Sequence, residues 1–192
     1  MAEVPLILGI LGSTRQGRRG EKVANWFGGI AAAREDLTYE PVDLRDWDLG
    51  FFDQPRPPST GEYGSAEQRR WSEKVGAADG FVWISPEYNH GYPPPLKNAI
   101  DFLYAEWNRK PMAVVSYGGA AGGLRAAEQL RLVSIEVQMV PVRSAVFIPR
   151  AYSSFDDDGR LTADTEYREK QAASLLDELA WWANVLRVAR AA

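Results

Sequence analysis

Five short apolar segments recur along the chain, and each is followed by a longer segment of mixed polarity. They cover residues 6–11, 37–44, 81–84, 112–116 and 140–148. The first and third are almost unbroken apolar runs, which is typical of parallel strands covered on both faces. The pattern therefore predicts five strands.

The intervening segments carry the signals of helices. After the first strand, apolar residues fall at positions i, i+3, i+4 and i+7 and predict a helix over residues 21–34. Ser65 and Gln68 fit a capping box that begins a second helix. The prolines after Tyr92 suit the first turn of a third, a fourth follows the glycines after the fourth strand, and the last covers residues 163–190.

Strict alternation of strand and helix predicts an α/β fold with a parallel sheet and helices on both faces. We expect one domain over residues 1–192, with ligands bound beyond the carboxyl ends of the strands. The loops after strands one, three and four are rich in glycine or proline and meet at that edge. The longest loop, residues 48–64, is expected to border the substrate pocket or to reach a second subunit.

Composition narrows the possible functions. The chain has 192 residues, a net charge of −4 and no cysteine. These values give no electrostatic reason to expect a nucleic acid or an anionic membrane as partner. Disulfides, thiol catalysis and thiolate metal sites are excluded, and a cytoplasmic location is the simplest expectation. No apolar run approaches the ~20 residues of a membrane span.

In the loop after the first strand, the residues from Ser13 to Gly20 are mostly small, hydroxylated or basic. Small residues let backbone N–H groups approach an anion, and the following helix adds the positive end of its dipole. Ser13 and Thr14 supply hydroxyl groups, and Arg15 supplies a planar fork that suits phosphate oxygens. This pattern favours a phosphate site. The alternative is a tight strand-to-helix turn with solvated arginines.

Three segments resemble the signature segments of the NAD(P)H-dependent FMN reductase family, which includes flavodoxin-like quinone, chromate and azo-compound reductases. They are Gly-Ser-Thr-Arg-Gln-Gly-Arg-Arg-Gly at 12–20, Pro-Glu-Tyr-Asn-His-Gly and the ten residues after it at 86–101, and Ser-Tyr-Gly-Gly at 116–119. The second is the most specific. The resemblance extends from residue 6 to about residue 148, and it implies a flavodoxin-like three-layer sandwich around a five-stranded parallel sheet.

The resemblance also implies which residues bind FMN. The phosphate is expected at Ser13, Arg15, Gly17, Arg18 and Gly20. The isoalloxazine ring is expected along Pro86, Glu87, Tyr88, Asn89 and Gly91, and its pyrimidine side at Ser116, Gly118 and Gly119. Two alternatives stay open. Arg18 and Arg19 either reinforce the phosphate site or face solvent, with at least one expected in solvent, and residues 87–89 could be only a turn before a helix.

The implied reaction is hydride transfer from NADPH or NADH to bound FMN and on to a small acceptor such as a quinone or free flavin, with ping-pong kinetics. The flavin N5 atom carries this chemistry, so no side chain is expected to be catalytic. The family also implies a homodimer or homotetramer. The last helix permits this because it has apolar residues on more than one face, although these could equally belong to the core.

His90 is the only histidine, and we expect it to shape the site and not to act in acid–base catalysis. With one histidine and no cysteine, a transition-metal site is not expected. The acidic run at residues 156–158 lacks calcium-loop spacing and is expected to be a surface turn.

Two other classes of protein are alternatives. A flavodoxin-type electron carrier would bind FMN but meet protein partners; such carriers are usually more acidic and have no counterpart of Arg15. A Rossmann dehydrogenase would use Asp43, at the end of the second strand, to hold a ribose. Its Gly-x-Gly-x-x-Gly fingerprint is missing from the first loop.

Overall fold

The computed structural model describes residues 4–192, so the first three residues of the expected domain lie outside it. Five parallel strands form one sheet in the order β2-β1-β3-β4-β5. This order, with helices on both faces, confirms the expected flavodoxin-like α/β sandwich. The strands are β1 (Leu6–Leu11), β2 (Thr38–Asp43), β3 (Gly80–Pro86), β4 (Pro111–Tyr117) and β5 (Val140–Ile148).

The helices follow the strands in the predicted order, with bounds within a few residues of those expected. They are α1 (Gly20–Ala32), α2 (Ala66–Gly76), α3 (Pro94–Asp101), α4 (Leu124–Glu136) and α5 (Thr165–Ala191). Three short 3₁₀ turns, at Leu44–Asp46, Pro58–Thr60 and Ala105–Trp107, lie between them. Within residues 4–192, none of the helices is both long and apolar enough to cross a bilayer.

Two apolar cores cover the two faces of the sheet. On one face α1 and α5 pack through residues such as Phe27 and Leu175. On the other face the core contains three buried tryptophans, Trp71, Trp83 and Trp107. Trp71 and Trp107 donate their indole N–H groups to the backbone oxygens of Ala99 and Ile100, so these large side chains are buried without losing their hydrogen bonds.

The start of α2 has one of the two hydrogen bonds that its sequence predicts. Ser65 Oγ accepts from the N–H of Gln68 at 3.0 Å, as the predicted capping box requires. In a capping box the side chain of Gln68 would also accept from the N–H of Ser65. Here Gln68 Oε1 accepts from Gly64 N at 3.2 Å, and the side-chain amide nitrogen donates to Phe102 O at 2.8 Å. The buried glutamine thus links α2 to the end of α3, which a local sequence pattern cannot predict.

The last helix divides its apolar residues between core and solvent. Leu175 and Leu179 are fully buried, whereas Trp181 and Val188 are 59% and 70% exposed. The Glu178 carboxylate of the same helix accepts from the backbone N–H groups of Arg143 and Ser144, at 2.9 and 2.8 Å. Those groups lie at an irregularity in the β4–β5 pairing, so α5 also covers part of the exposed edge of the sheet.

Three loops leave the carboxyl edge of the sheet next to one another and position the candidate site. They are called here the β1 loop (residues 12–19), the β3 loop (residues 87–93) and the β4 loop (residues 118–123). Because β1 and β3 are neighbours whose chains continue in opposite directions across the sheet, a crevice opens between their loops.

Candidate functional site

The β1 loop is tied to the β3 loop by two hydroxyl groups. Ser13 is fully buried, and its Oγ lies 2.7 Å from the Oη of Tyr88. The N–H of Gly12 also donates to Ile84 O of β3 at 2.9 Å. The two segments expected to hold opposite ends of the cofactor are therefore in direct contact.

The β1 loop presents unused donors at the start of α1. Gly17 adopts the left-handed conformation (φ 63°), which glycine accommodates without strain. The residue that caps α1, Arg19, makes no side-chain cap bond, so the positive end of the helix is available to an anion. The Arg15 side chain is exposed and, among residues 4–192, donates only to Gln16 O and Gly17 O of its own loop, at 3.2 and 3.4 Å.

The position of Arg18 differs from the expectation that its side chain contacts phosphate. Its side chain is 1% exposed, and its guanidinium pairs with Asp43 at the end of β2. Nε also donates to Glu21 Oε1 at 3.0 Å, and Nη1 donates to Ser13 O. Because every side-chain nitrogen already donates to a protein oxygen, Arg18 stabilises the loop from within. Arg19 is exposed, as expected for at least one of the two arginines.

Asp43, which a Rossmann dehydrogenase would use to bind a ribose, is instead the partner of Arg18 in this ion pair. Burial would raise the pKa of Asp43, but hydrogen bonds from Arg18 and from the backbone of Arg45 hold that pKa below its usual value. The carboxylate is thus a charged partner of Arg18, which leaves it poorly suited to bind a sugar.

The β3 loop is a tight turn. Tyr88 and Gly91 exchange two backbone hydrogen bonds of 2.8 and 2.9 Å, and both residues between them, Asn89 and His90, have positive φ values of 50° and 70°. Asn89 and His90 are exposed, and the carbonyl of His90 accepts from Gln129 of α4 at 2.8 Å. The turn interpretation thus describes the backbone correctly, and the same turn leaves Asn89 open to a ligand.

Glu87 directs its carboxylate away from this opening. Its oxygens accept from the backbone N–H of Arg125 at 3.0 Å and from Arg125 Nε at 2.7 Å, at the start of α4. Burial would raise the pKa of Glu87, but the bonds from Arg125 lower it below the usual value. Glu87 therefore caps α4 with its side chain, and its backbone N–H donates to Tyr117 O at 3.0 Å.

The β4 loop needs glycine at its turn. Gly123 has φ 87°, and a Cβ there would lie 2.8 Å from Ser116 Oγ and 2.9 Å from Tyr117 N. The position of Ser116 differs from the expectation that its side chain contacts the flavin: it is fully buried and donates to Gly122 O at 3.0 Å, which fixes the loop from below. At Gly119 a Cβ would meet nothing within 4 Å, so this side of the loop is open to the site.

The three loops and the segment after β5 enclose a shallow cavity of about 170 Å³. Tyr117 and Tyr152 line it, and sequence reasoning missed both. The Tyr117 Oη is buried and has no hydrogen-bond partner within residues 4–192, and a Cβ on Gly20 would lie 2.3 Å from it. The lining residues are Arg15, Arg19, Pro86, Glu87, Tyr88, Tyr117, Gly118, Gly119, Ala151 and Tyr152.

The long loop contributes to a second cavity on the far side of the β1 loop. Its residues 48–51 face Thr14 and the first turn of α3 around a volume of about 280 Å³. Asn98 fixes this segment, since its amide donates to Gly50 O and its oxygen accepts from Phe52 N, at 2.5 and 2.9 Å. The loop therefore lies beside the candidate site, and its contribution to substrate binding or to a second subunit stays a prediction.

A flavodoxin-like sheet with a crevice between the loops after β1 and β3 is an architecture in which flavin-dependent proteins bind FMN at the switch point of strand order. The comparison of family models identifies the group within that class: residues 5–153 match the family described as NADPH-dependent FMN reductase. The chain belongs to this family, and it is an oxidoreductase that uses FMN with NADPH or NADH.

Individual relatives agree with this assignment. The chain is 43% identical over 150 residues to an NAD(P)H-dependent FMN reductase of Schizosaccharomyces pombe, covering 76% of this chain and 74% of the relative. It is 30% identical over 184 residues to an NAD(P)H:quinone oxidoreductase of Solanum tuberosum, covering 92% and 93%. A solved flavoenzyme NAD(P)H:(acceptor) oxidoreductase from Paracoccus denitrificans shares the fold, with a TM-score of 0.73, 23% identity, and coverage of 92% and 97%.

Proposed function

We propose that this chain binds FMN between its β1, β3 and β4 loops and reduces a small acceptor, such as a quinone or free flavin, with ping-pong kinetics. The observation that carries the proposal is the convergence of these three loops on one cavity, joined by the 2.7 Å contact between Ser13 and Tyr88. When bound, FMN supplies the hydride chemistry that links NADPH or NADH to the acceptor.

The phosphate end of the cofactor fits the donors that the structure presents. The bonded hydroxyl groups of Ser13 and Tyr88 use one proton between them and keep one O–H to donate. Arg15 offers an exposed guanidinium, and α1 begins without a side-chain cap. The buried Tyr117 Oη, which has no hydrogen-bond partner in the part of the chain that the structure describes, supports this placement. A buried hydroxyl without a partner is uncommon, and a bound oxygen nearby would satisfy it.

The ring end is assigned to backbone groups. Tyr88, where the turn begins, and the open side of Gly119 line the cavity, while the carboxylate of Glu87 is occupied by Arg125. Backbone N–H groups can stabilise electron density on a flavin ring without adding an acid or base. We therefore assign no side chain a proton-transfer role, and His90 shapes the turn through its left-handed backbone.

We further propose one domain, a homodimer or homotetramer, and a cytoplasmic location. The exposed Trp181 and Val188 on α5 support an association between subunits, because exposed large apolar residues on one helix often mark contact surfaces. Light scattering of the purified protein measures its oligomeric state directly.

A rapid-mixing experiment tests the function. Protein reconstituted with FMN is mixed anaerobically with NADPH and, separately, with NADH, and the visible flavin absorption is followed. Fast bleaching by either nucleotide, and parallel lines in double-reciprocal plots with a benzoquinone acceptor, are expected. Protein that binds FMN but is bleached by neither nucleotide would instead act as an electron carrier.

A further inference from the structure

Three successive carbonyl groups of the β1 loop are bonded by two arginine side chains. The carbonyl of Ser13 accepts from Arg18 Nη1. The carbonyls of Thr14 and Arg15 accept from Arg45, through Nε at 3.2 Å and Nη2 at 2.6 Å. Arg45 comes from the 3₁₀ turn after β2, a segment that none of the signature motifs includes.

This arrangement fixes the direction of the loop's N–H groups. In a trans peptide the C=O of one residue and the N–H of the next point in opposite directions within one plane. With the carbonyls of residues 13–15 turned toward the arginines, the N–H groups of Thr14, Arg15 and Gln16 point to the opposite side. Successive N–H groups on one side of a loop can bind an anion. The Arg15 N–H also reaches Ser13 Oγ, at a long 3.5 Å, and this weak contact would have to give way to the anion.

The two arginines are themselves held in place by two carboxylates. Asp43 receives both terminal nitrogens of Arg18, and its Oδ1 accepts from the backbone N–H of Arg45 at 2.9 Å. Glu21 accepts from Arg18 Nε at 3.0 Å and from Arg45 Nη1 at 2.8 Å. Two positive and two negative groups leave the network neutral, so it contributes orientation to the loop and no net charge.

We infer that Arg45 is a positioning residue for the terminal phosphate of the flavin, acting through the peptide groups of residues 14–16. This inference rests on the proposed function, since it concerns the same site. Arg45 holds the donors in place before the phosphate arrives, which lowers the ordering cost of binding. The effect is specific to the phosphate, because the ring is held by the β3 and β4 loops, which Arg45 does not touch.

The test compares FMN with riboflavin, which has the same ring and no phosphate. Dissociation constants of both flavins are measured by fluorescence quenching with apo-protein of wild type, Arg45→Met and Arg45→Lys. The control is Arg69→Met, since Arg69 likewise donates to two loop carbonyls, Tyr63 O and Gly64 O at 2.9 and 3.2 Å, away from the site.

We expect Arg45→Met to weaken FMN binding about 10-fold and riboflavin binding less than about 2-fold. Arg45→Lys recovers part of the loss, and Arg69→Met changes neither constant. Unchanged riboflavin binding also shows that the variant is folded. Equal weakening of both flavins, or no weakening of FMN, overturns the inference.

A second readout separates this inference from the proposed function. Inorganic phosphate is titrated into apo-protein, and the amide NMR signals of residues 14–16 are followed. The expected shifts are present in wild type and lost in Arg45→Met. If wild type binds FMN but Arg45→Met keeps these shifts, the inference fails and the proposed function stands. If wild type does not bind FMN, the proposed function fails and the inference about the flavin phosphate fails with it, whatever the phosphate titration shows.

Discussion

The hydroxyl oxygens of Ser13 and Tyr88 lie 2.7 Å apart although 75 residues separate them in the chain. Ser13 follows β1 and Tyr88 follows β3, so the contact exists only because these two strands are neighbours in the sheet. It joins the loop assigned to the phosphate with the loop assigned to the ring. The spacing between the two ends of the cofactor site is therefore set partly by one hydrogen bond.

Tyr88→Phe tests this link. Removing the hydroxyl loses one hydrogen bond between the loops, with a net value of about 1 kcal/mol. We expect the free energy of unfolding of the apo-protein to fall by about that amount, as measured by urea denaturation. A double-mutant cycle with Ser13→Ala should show that the two losses are not additive. Fully additive losses would mean that the two hydroxyl groups do not interact.

Gly20 lies where the loop packs most tightly against β4. In Gly20→Ala the new Cβ would lie 2.3 Å from Tyr117 Oη and 2.7 Å from Leu11 Cδ1. We expect a loss of about 1–3 kcal/mol of stability, the usual cost of overpacking. Adding Tyr117→Phe removes the closest atom and should restore part of the loss, as measured by thermal denaturation.

Gly29→Ala is the matched control for that substitution, because it lies in the same helix and its Cβ would meet nothing within 4 Å. Alanine is a better helix former than glycine, so we expect a gain of about 0.5–1 kcal/mol. A similar loss at both glycines would mean that steric contact with Tyr117 is not the cause.

Glu87 makes the free energy of unfolding depend on pH. Burial opposes its charge, but Arg125 holds its pKa in the folded state below its usual value. A carboxylate whose pKa is lower in the folded state than in the unfolded state, where it is about 4.3, stabilises the fold at pH values above the unfolded pKa. This stabilisation is lost as the pH falls through the pKa of the folded state. We expect the free energy of unfolding to decline below about pH 5, and less steeply in Glu87→Gln.

Urea titrations between neutral and acidic pH measure this slope. Glu35→Gln serves as the control, since Glu35 is exposed in the turn after α1. Identical slopes in wild type and Glu87→Gln would contradict the capping role assigned to Glu87.

The order of strands and helices could be predicted because it depends on local periodicity. The run at β1 and the prolines before α3 specify their elements without help from distant residues. The irregular pairing of β5 could not be predicted. The backbone N–H groups of Arg143 and Ser144 donate to Glu178, which lies more than thirty residues further along the chain. The β5 sequence carries no sign of that partner.

In the candidate site, too, some features could be predicted from the sequence and others could not. Ser13, Arg15 and Tyr88 lie in recognisable motifs, and the structure brings their loops together. Arg18 lies in the same motif, which predicts a contact with phosphate, but its side chain pairs with Asp43. That pairing depends on the β1–β2 register, in which Leu11 lies opposite Asp43. An arginine in a loop gives no local signal that it will be buried.

The central claim is that the β1 loop binds the terminal phosphate of FMN. It is tested most directly by dissociation constants of FMN and riboflavin for wild-type apo-protein and Arg15→Ala. Hydrogen bonds between charged groups contribute about 1.5–3 kcal/mol, so we predict that FMN binding weakens about 10- to 100-fold. Riboflavin binding should be unchanged. Undiminished affinity of Arg15→Ala for FMN, or a wild-type protein that does not bind FMN, would contradict the claim.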